Sequence, residues 1–222
     1  MKRLGKYLPT ILPTLLFTGI ASANTLIVNC STVSGPTELV SAAIVCGQFN
    51  IGGTTLSNIS IAVSGGISGS ITLTNGDVNP QSGSGTSTTS FDFAPLTGFT
   101  FSNPIYPASF TTGVQPLAAG QTVTFSGLSG TGSGSLGNDT TQFGNYTGAG
   151  TFDVLVSTST FFSSGGTGGT FSAAQSSSAN ATAVVTYTYD FAAPAPEPST
   201  ISLFGMGLLG FSLLARKFKV RK

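Results

Sequence analysis

The sequence predicts an all-β fold, an antiparallel β-sandwich with glycine-rich loops, set between two apolar chain ends. The first ground is period-two alternation. Ile59, Ile61 and Val63 alternate with Ser60 and Ala62; further on, Ile67, Ile71 and Leu73 share one parity with Gly69, while Ser68, Ser70, Thr72 and Thr74 take the other. Such alternation describes strands that bury one face. The second ground is turn chemistry, because Gly65-Gly66 and Asn75-Gly76 read as turns. The third is that no helical period of useful length appears between Asn24 and Ala193.

Further strands follow from the same device. Phe91 and Phe93, Phe99 and Phe101, Val123 and Phe125, and then Phe152, Val154 and Val156 each place apolar residues two apart. The longest case sets Ala183, Val185, Tyr187, Tyr189 and Phe191 on one side, which predicts a final strand from Ala181 to Phe191 paired in the middle of a sheet. Leu39 to Cys46 reads as either a short helix or a strand. Gln81 to Ser90, Gly130 to Gly137 and Ser163 to Gly169 have the composition of disordered loops. A parallel β-helix is the alternative architecture, but the fixed internal period of a solenoid is missing.

Charge is distributed in an unusual way. All eight basic residues lie at the ends, at Lys2, Arg3 and Lys6 and at Arg216, Lys217, Lys219, Arg221 and Lys222. The body between Asn24 and Ala193 carries only Glu38, Asp77, Asp92, Asp139, Asp153 and Asp190, with no histidine in the chain. Nothing in the body can neutralise phosphate, so nucleic acid and anionic membrane surfaces are poor partners for it. Its solubility comes chiefly from serine, threonine, asparagine and glycine.

The front end has the parts of a cleaved signal peptide over residues 1–23. Lys2, Arg3 and Lys6 hold the start on the cytoplasmic side, Tyr7 to Ile20 is apolar, and Ala21-Ser22-Ala23 offers small residues to signal peptidase, leaving Asn24 as the new amino terminus. A permanent anchor is disfavoured by the short run and by Pro9 and Pro13. At the back, a proline-rich stalk (194–198) leads into an uncharged segment, Ser199 to Ala215, and then a basic tail (216–222). As a helix that segment would reach ~25 Å, at the short end for a bilayer core of about 30 Å. Snorkelling of Arg216 and Lys217 makes up the difference. The basic end stays cytoplasmic and the body faces outward, so the expectation is one transmembrane helix holding an exported domain.

This tail resembles the PEP-CTERM sorting signal of bacterial surface proteins. Pro196-Glu197-Pro198 stands where that signal has its tripeptide, Ser199 and Thr200 follow, Gly205, Gly207 and Gly210 match its glycine-bearing span, and Arg216-Lys217 opens its basic end. The resemblance implies recognition by an exosortase, a membrane transpeptidase, with cleavage near the tripeptide and loss of the span. The prolines suit that role, since they remove amide donors and favour an extended polyproline conformation fit for an active-site groove. Pro196, Glu197 and Pro198 are then substrate residues. The body, over most of Phe49 to Tyr189, is similar to the choice-of-anchor E class, on Leu56 to Asn75, on Tyr146 to Val154 and on Thr182 to Tyr189. That class carries no established activity to transfer.

Cys30 and Cys46 are the two cysteines of a chain bound for an oxidising compartment, and read either as a disulfide or as two buried thiols. They lack the spacing of a metal or redox pair, and no metal or cofactor is expected. Enzymatic activity is not expected either. Without His or Lys in the body neither a Ser-His-Asp triad nor a Ser-Lys dyad can be assembled, and the acids stand singly, Asp77 and Asp139 in turn-like contexts. Two functional classes remain: a structural component of the cell surface or of an exopolysaccharide matrix, and a carbohydrate-binding adhesin. The second would use exposed aromatics among Phe99, Phe101, Tyr106, Phe110, Phe143, Tyr146, Phe161 and Phe162, whose commoner role is core packing.

Overall fold

Alternation along the chain becomes nine strands in the computed structural model, which describes residues 23–99, 105–139, 142–191 and 203–211. They are β1 (Ala23–Pro36), β2 (Ala42–Gly47), β3 (Thr54–Asn75), β4 (Gln81–Phe93), β5 (Ile105–Thr111), β6 (Gln115–Leu117), β7 (Thr122–Asp139), β8 (Thr151–Gly166) and β9 (Phe171–Phe191), with a 3-10 turn at Phe143–Tyr146. Two sheets result, one ordered β1-β9-β3-β7 and the other β2-β8-β4-β5 with β6 beside β4. Strand pairing is antiparallel, as in β1 with β9, β3 with β7 and β4 with β8, and not the parallel coiling of a β-helix. Residues 203–211 form a separate short helix.

The inward faces of the two sheets make one core. Ile59, Ile61, Val63, Ile67, Ile71 and Leu73 of β3 and Ala181, Ala183, Val185 and Tyr187 of β9 are buried together with Ile44, Phe91, Phe93, Val154 and Val156 of the opposite sheet. Fully burying a side chain of this kind contributes roughly 1.5–3 kcal/mol. The outward positions are hydroxyls, and they bond across the strands: Thr72 to Thr124 at 2.9 Å, Thr74 to Thr122 at 3.1 Å and Ser68 to Ser178 at 3.3 Å.

Several expectations are corrected. Gly65-Gly66 is not a turn but the middle of β3. A Cβ on Gly65 would lie 2.6 Å from the Phe91 ring, so the glycine makes room for an aromatic of the facing sheet. The low-complexity stretches are strands: Gln81 to Ser90 lies in β4, Gly130 to Gly137 in β7, and Ser163 to Gly166 ends β8. In β7 the glycines serve close approach, because a Cβ on Gly130 would meet the Ser109 carbonyl oxygen at 1.9 Å and one on Gly132 the Pro107 oxygen at 2.6 Å. The edge strands β5 and β7 of opposite sheets thereby come together. Phe99 lies outside any strand, Phe101 lies outside the described residues, and Asp139 ends β7 opposite Ile59 instead of forming a turn. Leu39 to Cys46 contributes strand β2, not a helix.

At the other side of the sandwich β1 and β2 meet. The β1–β9 register shifts between Asn29 and Thr32, so that Cys30 and Ser31 together occupy the place opposite Ala183. This bulge bends the strand locally. Ser31 Oγ accepts the Val45 amide at 2.7 Å, and Cys30 is disulfide-bonded to Cys46.

Candidate functional site at the joined chain ends

The chain enters and leaves the sandwich at one end. Ala23 is in register with Asp190 and Asn24 with Tyr189, so the start of β1 and the end of β9 are neighbours. Of the residues expected at the signal peptidase site, Ala23 and Asn24 begin β1 while Ala21 lies outside the described residues. The signal peptide to Ser22, the stalk with Pro196, Glu197 and Pro198, and the basic Arg216, Lys217, Lys219, Arg221 and Lys222 likewise lie outside them. Of the expected span 199–215, residues 203–211 are helical, with Leu203, Phe204, Met206, Leu208, Leu209 and Phe211 exposed. Among the described residues no helix is long and apolar enough to cross a membrane. The transmembrane expectation therefore rests on sequence beyond both ends of that helix.

Aromatic residues consolidate the end from which the tail departs. Phe49 packs between Tyr187 and Tyr189 at centroid distances of 5.4 and 5.2 Å, and Tyr146 meets Phe99 and Phe152 edge-on at 5.3 and 5.0 Å. Ring contacts of this kind add ≈ 0.5–1.5 kcal/mol each to area burial. The Tyr187 hydroxyl donates to the Gly47 carbonyl at 2.8 Å, tying β9 to β2 across the sandwich. Burial first, and the Tyr146 phenol second, push the Tyr187 pKa up to about 12.

Of the aromatics considered for sugar stacking, Phe99, Phe110 and Tyr146 are buried, and Tyr106, Phe143 and Phe162 pack partly buried against the core. Phe161 differs, being 70% exposed on the outer face of β8. Among the described residues no three of the acidic, cysteine or histidine types converge as metal ligands.

The opposite end holds a polar centre that sequence reading identified only as a turn. Asn75 is fully buried at the end of β3. Its amide nitrogen donates to the carbonyls of Asn79 and Ala118, each at 2.9 Å, and its oxygen accepts the Asp77 amide at 2.9 Å. Gly76 N–H donates to the Thr170 carbonyl at 2.7 Å. One buried amide thus gathers the β3–β4 and β6–β7 loops, and its neighbour adds the β8–β9 loop. The dipeptide Asn-Gly signals a turn; nothing in its spacing signals the carbonyl of Ala118.

Among solved structures, the chain is similar to a protein of infectious bursal disease virus, Gx strain, at 12% identity and TM-score 0.19, over 88% of this chain and 42% of that one. A chain of the T13 particle of the same virus gives 10% identity and TM-score 0.19, over 96% and 53% respectively. The chain spans about half the length of those proteins or less. No curated protein sequence matches it. Residues 194–217 match the PEP-CTERM protein-sorting motif, which indicates an exported protein that an exosortase processes at the membrane.

Proposed function

We propose that this chain is a structural protein of a bacterial cell surface or extracellular matrix, associated with exopolysaccharide and without catalytic activity of its own. The sorting motif at 194–217 is the observation that carries the reading. In it the signal peptide is removed after Ala23, the segment 199–215 holds the body outside the cytoplasm for a time at the inner membrane, and cleavage near Pro196-Glu197-Pro198 releases it. The likeness of the body to the choice-of-anchor E class fits such a passenger. So does its surface, on which ladders of Ser and Thr hydroxyls stand without a single cation. Uncharged hydroxyls exchange hydrogen bonds with water and sugar at little net gain each, which suits many weak contacts.

The second reading is a carbohydrate-binding adhesin, and the exposure of Phe161 favours it. Enzymatic depolymerisation of the extracellular polysaccharide distinguishes the matrix role, since the protein should pass from the matrix fraction to the soluble one. Retention in the cell pellet after complete depolymerisation would count against association with polysaccharide. A glycan array separates the two readings: saturable binding that Phe161→Ser abolishes identifies the adhesin, and no saturable binding leaves the structural role.

A further inference from the structure

Among the described residues, both sheets lack their outer strand at one corner of the sandwich. β1 is in register with β9 only from Asp190 to Ser178, and β2 with β8 only from Thr151 to Val156. Beyond these points the chain connecting β1 to β2 covers β8 briefly, with Thr158 N–H donating to the Leu39 carbonyl at 2.9 Å and Thr160 N–H to Glu38 Oε1 at 3.4 Å. Past Thr160, β8 continues to Gly166 with β4 on one side and, among the described residues, no strand on the other.

Backbone parity says which groups are left over. N–H and C=O of one residue in an antiparallel strand point to the same side, and the side alternates. The amides of Thr158 and Thr160 point away from β4, while Thr167 N–H points toward it, to the Ser82 carbonyl. The N–H and C=O groups of Phe162, Ser164 and Gly166 therefore face outward from the edge, and among the described residues they have no partner. Unpaired edge groups are a template for another strand unless charge, proline or a bulge guards them. Residues 161–166 read Phe-Phe-Ser-Ser-Gly-Gly, with no such guard. Residues 163–166 are exposed on both faces, and the exposed Phe161 and Val40, 70% and 84% accessible, flank the edge. In the same corner alternate residues of β9, from Phe171 to Ser177, are half-buried, which makes β8 the more open of the two edges.

We propose that this edge binds a second copy of the same chain, β8 against β8 in antiparallel register about Ser164. The register is self-complementary: a two-fold axis beside Ser164 sets Ser164 against its counterpart and Phe162 against Gly166, and each facing pair exchanges two hydrogen bonds, about six in all. Two carboxylates flank the edge, Glu38 beside Thr160 and Asp77 beside Gly169. The two Glu38 groups lie roughly 25 Å apart along the ladder, and at each end the register turns Glu38 of one copy toward Asp77 of the other, a repulsion that salt screens over a Debye length of about 8–10 Å. Main-chain bonds supply the affinity, as in other strand additions, and the exposed Phe161 comes to lie against the second copy's outer face. Of the other edges, β1 faces β2 across the disulfide, β5 faces β7 across the glycine contacts, and β9 from Phe171 to Ser177 is half-buried at alternate residues. Pairing at β8 thus gives a dimer that closes on itself.

Cysteine cross-linking of the exported full-length chain tests the register. Facing residues of a hydrogen-bonded pair have Cα atoms about 5.5 Å apart, within disulfide reach. Ser164→Cys should yield a disulfide-linked dimer on non-reducing electrophoresis, and Ser64→Cys, on the outer face of β3, should not. Equal cross-linking of both, or of neither, would overturn the proposal. Should either variant fail to be exported, sedimentation of the wild-type protein decides: a concentration-dependent dimer that Ser164→Pro converts to monomer supports it, and a monomer at every concentration refutes it.

Discussion

Cys30 and Cys46 join the edge strands of opposite sheets. Cys30 sits in the β1 bulge opposite Ala183, Cys46 is fully buried on β2, and the bond between them closes the side of the sandwich on which the chain begins. Strand β1 is therefore held by its ladder to β9, by this cross-link and by the Val45 amide on Ser31 Oγ. With a separation of 16 residues, the loop-entropy relation gives about 3 kcal/mol of stabilisation. The double variant Cys30→Ser, Cys46→Ser should lose 2–4 kcal/mol in urea unfolding of the exported protein. A loss below the error of the extrapolation would mean that the ladder and the Ser31–Val45 bond hold β1 without the cross-link.

Gly130 tests the close approach of β7 to β5. The atom that an added Cβ would meet is the Ser109 carbonyl oxygen, part of a backbone that is itself paired to β4. Gly130→Ala should cost about 1–3 kcal/mol through forced displacement of one sheet against the other. Gly144→Ala, where nothing lies within 4 Å, should stay within about 0.5 kcal/mol of wild type. Equal thermal midpoints for the two variants would contradict the tight contact.

Asn75→Ala should remove the bonds that gather the loops at the tail-distal end and leave carbonyls of Asn79 and Ala118 unsatisfied. An unsatisfied buried group costs about 1–3 kcal/mol. The effect should be local as well as global. Amide exchange at Gly76 and Gly120 should accelerate in the variant more than at Ile71, and a uniform acceleration would assign Asn75 a general packing role instead.

Tyr187 gives the fold an alkaline limit. Its phenol has a pKa of about 12 in the folded protein against 10.0 for an ordinary tyrosine. A raised folded value means that the native state holds the proton more tightly, so the stabilisation is complete below pH 10 and is lost as pH rises through 12. Stability should fall over that window in wild type and fall less in Tyr187→Phe, which titrates no group there. Tyrosinate absorbance that develops in one step near 10, with every tyrosine alike, would contradict the burial.

Much of this architecture is legible from residue order, and the failures have a common cause. Period two located the inward faces of β3, β8 and β9, because one face of each is buried by the other sheet. Glycine misled: Gly65-Gly66 carries the composition of a turn, yet Gly65 lies against Phe91 and Gly66 against Asn180, residues far away in sequence that leave little room for a Cβ. The run from Gly130 to Gly137 misled in the same way, since its inward glycines answer to Ser109 and Pro107. A composition rule cannot distinguish a glycine that bends the chain from one that admits a neighbour. The open β8 edge was hidden for a related reason, as it depends on where β2 stops. Phe161, by contrast, stood among the candidate aromatics from the sequence alone.

Processing of the tail is read from the intact mass of the protein from cells with and without the exosortase. The mature chain should begin at Asn24 in both, retain its two cysteines as a disulfide, and end near Pro196-Glu197-Pro198 only where the exosortase is present. A chain that keeps its basic tail to Lys222 in both strains would contradict the account.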